Sequence, residues 1–94
     1  MGFDHIEKWC DEICEELDGA MDYTEMYLGA KESNRQHAQH YHEMAEDELK
    51  HAGYLMEMAA AEMKDMEQEP EAVWNYEHSR MEKKRQKIRN MLAM

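Results

Sequence analysis

The sequence predicts an all-α fold, and three observations support that prediction. The 94 residues include one Pro and four Gly, the two residue types that most disfavour the interior of a helix. Apolar residues recur at steps of three and four, which is the period of an amphipathic helix. No segment alternates apolar and polar residues for long enough to indicate a strand. We therefore expect one domain, with a helical hairpin at 1–69 and a C-terminal helix at 70–94.

The first helix carries an apolar stripe that one carboxylate interrupts. The stripe consists of Ile6, Trp9, Ile13, Glu16, Ala20, Tyr23 and Tyr27, and is widened by Cys10, Cys14, Leu17 and Met21. After Gly29, the run from Lys31 to Asn34 indicates that the helix stops and a second one begins. Either Ser33 or Asn34 is the expected N-cap of that second helix.

The two cysteines, Cys10 and Cys14, lie four positions apart on one face of the first helix. Two thiolates alone do not complete a tetrahedral metal site, so we expect both residues to act as small apolar residues of the core. So few cysteines favour a reducing cytoplasm over a disulfide-stabilised secreted protein.

The second helix is predicted from about Arg35 to Gln68, and polar residues also interrupt its stripe. The stripe consists of His37, Tyr41, Met44, Ala45, Glu48, His51, Ala52, Leu55, Met58, Ala59 and Met63. Because the loop before this helix is short, the first two helices should form an antiparallel hairpin.

The third helix should begin near Pro70, a residue that suits the first turn of a helix. Its inward positions are predicted to be Trp74, His78, Met81, Ile88, Met91 and Leu92. Six basic residues and one acid follow Ser79, whereas residues 1–70 hold 19 acids and 5 bases. This basic end is explained by a solvated face near a helix C-terminus, or by charge pairing against the acidic part of another chain.

The overall charge and hydropathy exclude two classes of partner. A formal net charge of -11 argues against nucleic acid, whose phosphates would be repelled. No apolar run approaches the roughly 20 residues that a membrane-spanning helix needs. We therefore expect neither nucleic acid nor a membrane as a partner.

Glu16, Glu48 and His51 are the candidate metal ligands. A carboxylate on a core-facing stripe is costly unless it is paired or bound to a metal. Glu48 and His51 lie one turn apart on one face, although chance alone gives about one Glu-x-x-His in a chain of this composition. With the loop near 31–34, Glu16 and Glu48 should lie within roughly 3 Å of the same height. Carboxylate and imidazole ligands suit iron, manganese or zinc.

Two segments have a spacing typical of a known family. In 16–23 a Glu is followed by an Ala four residues later and a Tyr seven residues later. In 41–51 the pattern is aromatic-x-x-Met-Ala-x-x-Glu-x-x-His. These spacings resemble the first helix pair of the rubrerythrin branch of the ferritin-like superfamily, and the resemblance extends over roughly residues 9–60.

The resemblance implies a di-iron or di-manganese carboxylate centre. The complete centre of the superfamily takes a Glu from each of two helices and Glu-x-x-His from each of the other two. By resemblance, Glu16 would be a terminal or bridging ligand, Glu48 would bridge two metals, and His51 would complete one of them. Tyr23 would donate a hydrogen bond to a ligand carboxylate. The implied activity is oxidation of ferrous iron by oxygen or peroxide.

The C-terminal part departs from the family pattern. Residues 71–94 contain no second Glu-x-x-His. The most similar segment there ends in His78 and has Asn75 in place of the Glu. One chain therefore supplies half a centre. A homodimer with two-fold symmetry would supply the other half and form a four-helix bundle. Encapsulated ferritins resemble this plan.

Two other interpretations remain open at this point. Without a metal, Glu16 and His51 would form a structural pair, and the chain would be a helical interaction module. Alternatively, Glu12 with Glu15 and Glu43 with Glu46 have the Glu-x-x-Glu form of all-α nucleotide pyrophosphohydrolases. Oxygen-only ligands of that kind suit magnesium. These last two pairs lie off the apolar stripes, however, as expected of a solvated face.

Overall fold

A computed structural model describes residues 4–65 and 71–94, and every regular element within those ranges is an α-helix. The three helices are α1 (Asp4–Ala30), α2 (Arg35–Lys64) and α3 (Glu71–Leu92). The predicted all-α class is therefore confirmed for the described residues. None of the described helices is long and apolar enough to cross a membrane.

The turn between α1 and α2 is closed by hydrogen bonds at both helix ends. The backbone N–H of Asn34 donates to the carbonyl of Ala30 over 2.8 Å. The Asn34 side chain accepts from the backbone N–H of His37 over 3.1 Å, so Asn34 is the N-cap of the two candidates. At its other end α2 finishes at Lys64. The predicted end at Gln68 and the predicted start at Pro70 lie outside the described residues.

α3 runs alongside the hairpin, parallel to α1. Lys84 forms an ion pair with Asp18 of α1. Near the end of α3 the carbonyl of Leu92 lies 3.2 Å from Nε2 of His42 in α2. A Cβ at Gly53 would meet Nη2 of Arg85 at 2.7 Å, so the missing side chain leaves room for the Arg85 guanidinium. The basic end of α3 thus packs against the acidic body within one chain.

The hydrophobic core lies along the line where the three helices meet. The buried apolar residues on α1 and α3 come from the predicted stripes and their flanks: Ile6, Cys10, Ile13, Leu17, Ala20, Trp74, Met81, Ile88 and Leu92. Thr24 of α1, which the predicted stripe did not include, is also buried, and its hydroxyl donates to the carbonyl of Ala20 over 2.7 Å. Both cysteines are free thiols, with Cys10 buried and Cys14 half-buried. Their predicted place at the core is confirmed.

On α2 the buried stripe differs from the predicted one. The buried residues are Ala38, Ala45, Leu49, Ala52, Met56 and Ala59. His37, Met44, His51 and Met58, which were predicted to face inward, are exposed. The reason is geometric: α1 and α3 both pack against the Ala-rich side of α2, and the neighbouring stripe is left uncovered.

Candidate metal centre

Glu16, Glu48 and His51 come together midway along the hairpin. Glu16 lies on α1, and the other two lie one turn apart on α2. Nδ1 of His51 lies 3.6 Å from Oε2 of Glu16 and 3.5 Å from Oε1 of Glu48. The antiparallel hairpin thus brings the two carboxylates to one height, as the residue spacing predicts.

This cluster has the donor chemistry of a metal site. One ligand atom from each of the three side chains lies within 4.8 Å of the other two. Across residues 4–65 and 71–94, no other three His, Cys, Asp or Glu side chains meet that criterion. Donor atoms bound to one metal at about 2 Å lie about 3–4 Å apart, so small side-chain rotations would allow these three to hold a cation.

Negative charge at the cluster is incompletely compensated within the chain. Burial raises the pKa of Glu48, and a hydrogen bond and charge repulsion from Glu16 raise it further. The His51 imidazole acts in the opposite direction, because a cationic neighbour favours the ionised carboxylate. A bound cation would act as His51 does and stabilise both carboxylates in their ionised form.

Gly19 lets α1 approach the Glu48 carboxylate closely. A Cβ at this position would lie 2.8 Å from Oε2 of Glu48, closer than a real methyl group can sit. Gly19 therefore makes the space that the Glu48 carboxylate occupies. The sequence signal for this role is a glycine inside a long helix, three residues after Glu16, where glycine costs about 1 kcal/mol relative to alanine.

The cluster faces away from α3. Positions two apart in a helix point in directions about 200° apart. Glu16 and His51 lie two positions before Asp18 and Gly53, the residues that contact α3. α3 therefore covers one side of the hairpin, and the metal-ligand candidates lie on the other side. The side chains of Glu16, Glu48 and His51 are 30%, 26% and 55% exposed.

On this uncovered side, α2 presents a stripe of eight residues that we call the open stripe. Its members alternate at spacings of four and three: His37, Tyr41, Met44, Glu48, His51, Leu55, Met58 and Glu62. None of the eight is buried, and the large apolar residues Met44 and Met58 are 39% and 57% exposed. Trp9 of α1 borders the stripe and donates from Nε1 to Glu62. Exposed apolar side chains such as these two methionines are typical of a contact with another chain.

Other predicted residues occupy different places. Tyr23 packs against the core, and within the described residues no hydrogen bond joins it to Glu16 or Glu48. His78 stacks on Trp74, with ring centroids 5.5 Å apart, and belongs to α3 on the far side of the hairpin. α3 therefore cannot complete the cluster within the chain as described.

The four glutamates of the magnesium interpretation are exposed: Glu12, Glu15, Glu43 and Glu46. Glu46 lies 3.3 Å from Nδ1 of His42. In the described part of the chain, none of the four belongs to a group of three ligand side chains. The geometry therefore gives this interpretation no support.

Comparison with known proteins gives one match. A family model described as Rubrerythrin matches residues 11–93, which includes all three candidate ligands and the whole of α2 and α3. The search of curated proteins and the search of solved structures each returned no significant match.

Proposed function

This chain belongs to the rubrerythrin family, and on that premise we propose that it is a di-iron carboxylate protein whose centre forms between two copies. The observation that carries the proposal is the convergence of Glu16, Glu48 and His51 within 4.8 Å on an uncovered face. Iron is the metal we propose, and manganese or zinc would accept the same donors. The two free thiols favour the reducing cytoplasm as its compartment.

A second copy supplies what one chain lacks. One chain offers two carboxylates and one imidazole, half of the four Glu and two His of a complete centre. A two-fold axis through the cluster places an identical set opposite it and forms a four-helix bundle from two hairpins. α3 does not obstruct this contact, because it lies on the far side of each hairpin.

Each candidate ligand has a role that its position suggests. Glu48 is the least exposed of the three and would bind metal at the most protected position of the cluster. Glu16 would approach from α1, and His51 would complete the ligands of one metal. The surrounding Met and Leu side chains of the open stripe would exclude water once the second copy covers them.

Bound iron would supply electrons for the reduction of oxygen or peroxide, which makes ferrous iron oxidation the activity we propose. The part of this chain is to hold the metals, to balance their charge with carboxylates and to keep the centre dry. The alternative is a metal-free helical module. The contacts of His51 with both carboxylates are consistent with that alternative, because they partly neutralise the cluster without a metal.

The test is native mass spectrometry of wild type and His51→Ala after loading with ferrous iron under nitrogen. We expect wild type to carry two irons per dimer and His51→Ala to lose them, with helical content unchanged by circular dichroism. The loss of stability should be small, about 1 kcal/mol or less, because the His51 side chain is 55% exposed.

His40→Ala is the matched control, since His40 is an exposed histidine of the same helix. It should bind iron as wild type does. A wild-type protein that binds no iron would contradict the proposed function. A His51→Ala protein that retains full iron would remove His51 from the ligand set.

A further inference from the structure

The open stripe also indicates how the second copy docks. We infer that α2 packs antiparallel against the partner's α2, with Glu48 of one copy opposite His51 of the other. This inference rests on the proposed shared centre. The alternating spacing of four and three residues along the stripe is the repeat by which two helices pack along their whole length at a shallow angle.

The cluster sets the register of the pairing. Two copies that share one centre must bring their Glu48 and His51 residues to the same height. The two-fold axis therefore passes between the two α2 helices, at the height midway between Glu48 and His51. Moving outward from that midpoint, antiparallel pairing places Met44 opposite the partner's Leu55, Tyr41 opposite the partner's Met58, and His37 opposite the partner's Glu62.

The identities of the paired residues favour this arrangement. Met44 and Leu55 are both apolar, and Tyr41 with Met58 forms a favourable sulfur–aromatic contact. His37 and Glu62, at the outer ends, form a pair in which an imidazole faces a carboxylate. Complementary groups thus meet at every level of the stripe.

Parallel pairing of the two α2 helices would bring each residue opposite its own copy. Glu48 would then face the partner's Glu48, and Glu62 would face the partner's Glu62. Like charges placed together at an interface are unfavourable, and this chain already carries a formal net charge of -11. Charge complementarity therefore selects the antiparallel arrangement.

Disulfide cross-linking tests the register. In a Cys10→Ala, Cys14→Ala background, the variant that combines Tyr41→Cys with Met58→Cys should form a covalent dimer of twice 11.3 kDa on mild oxidation. Tyr41→Cys alone and Met58→Cys alone are the matched controls. In either one the two thiols would be about 25 Å apart along the interface, too far to join.

Iron binding, measured on the reduced double variant and on wild type, separates the two hypotheses. If wild type dimerises and binds iron but the double variant does not cross-link, the pairing is wrong and the proposed function stands. Cross-linking of either single variant would likewise overturn the pairing. A wild type that neither dimerises nor binds iron would overturn both.

A second measurement applies if the cysteine variants lose their helical content. His37→Glu places a carboxylate opposite the partner's Glu62 and should weaken dimerisation by about tenfold. Adding Glu62→Lys should restore it. If the second substitution weakens the dimer further, these two positions do not face each other.

Discussion

At the scale of single residues, the candidate centre combines two carboxylates with one imidazole, and the two carboxylates repel each other. The pKa of Glu48 is raised by burial and by Glu16, so the folded chain holds its negative charge less easily than the unfolded chain does. His51 relieves part of that repulsion. A cation bound by all three residues would therefore stabilise the cluster more than His51 alone does.

The first prediction concerns Glu16→Gln. In the presence of a chelator, this variant should melt at a higher temperature than wild type, because it removes one of two neighbouring negative charges. The gain should be about 1 kcal/mol or less, since both carboxylates are partly solvated. Ferrous iron under nitrogen should raise the melting temperature of wild type and leave that of the variant nearly unchanged.

A lower melting temperature for Glu16→Gln in chelator would instead indicate a structural pair between Glu16 and His51. The absence of an iron-dependent shift in wild type would argue against the whole ligand set.

The second prediction concerns Cys10. Burial raises the pKa of this thiol to about 11, and the Glu77 carboxylate adds to the effect. The unfolded thiol titrates near 9.0, so its contribution to stability is complete below pH 9 and is lost as the pH rises toward 11. Denaturant unfolding at pH 8 and pH 11 should show wild type losing about 2 kcal/mol more than Cys10→Ala over that range.

The number of irons bound per dimer tests whether the cysteines belong to the centre. Replacing Cys10 and Cys14 together by Ala should leave it unchanged, because Cys10 is buried beside Glu77 of α3, away from the cluster. Loss of iron in that double variant would show that the centre is elsewhere.

At the scale of helices, the close approach of α1 and α2 depends on Gly19. The third prediction is that Gly19→Ala weakens iron binding without unfolding the protein. The added methyl would displace the flexible end of Glu48, while alanine itself favours the helix by up to about 1 kcal/mol. Isothermal titration with ferrous iron and thermal melts would measure the two effects separately.

Gly29→Ala is the matched control for this prediction. Gly29 lies on the same helix, and a Cβ there would meet nothing within 4 Å. It should stabilise the helix slightly and bind iron as wild type does. Equal losses of iron affinity in both variants would contradict a specific role for Gly19.

The α2 helix also shows what the sequence could and could not reveal. Periodicity predicted most of the buried positions on α1 and α3 but missed Thr24, because a polar side chain adds nothing to an apolar pattern. α2 has two adjacent stripes, one with Ala45 and Leu49 and one with Met44 and Leu55. Periodicity marks both as apolar but does not say which faces the same chain. The meeting of Glu16, Glu48 and His51 was predictable because hairpin geometry alone sets their heights.

At the scale of the whole molecule, the three helices form a rod of 52 × 17 × 16 Å with one side uncovered. A chain of 94 residues buries a limited fraction of its surface on folding, so burial of that side against a second copy should contribute substantially to stability. The fourth prediction is that sedimentation at micromolar concentration shows a dimer, and that ferrous iron strengthens it. Only an 11.3 kDa species, with and without iron, would end the shared-centre model.

The position of α3 on the far side of the hairpin also affects how such a protein would release its metal. Because the ligands lie at the surface of each chain, separating two copies would divide the centre and expose both halves to solvent. Metal retention would then depend on protein concentration, and dilution would favour release as directly as a chelator does. A ferritin-like bundle in a single chain lacks this dependence, since its ligands cannot diffuse apart. The concentration of the chain would therefore determine both the amount of bound iron and the apparent affinity for it.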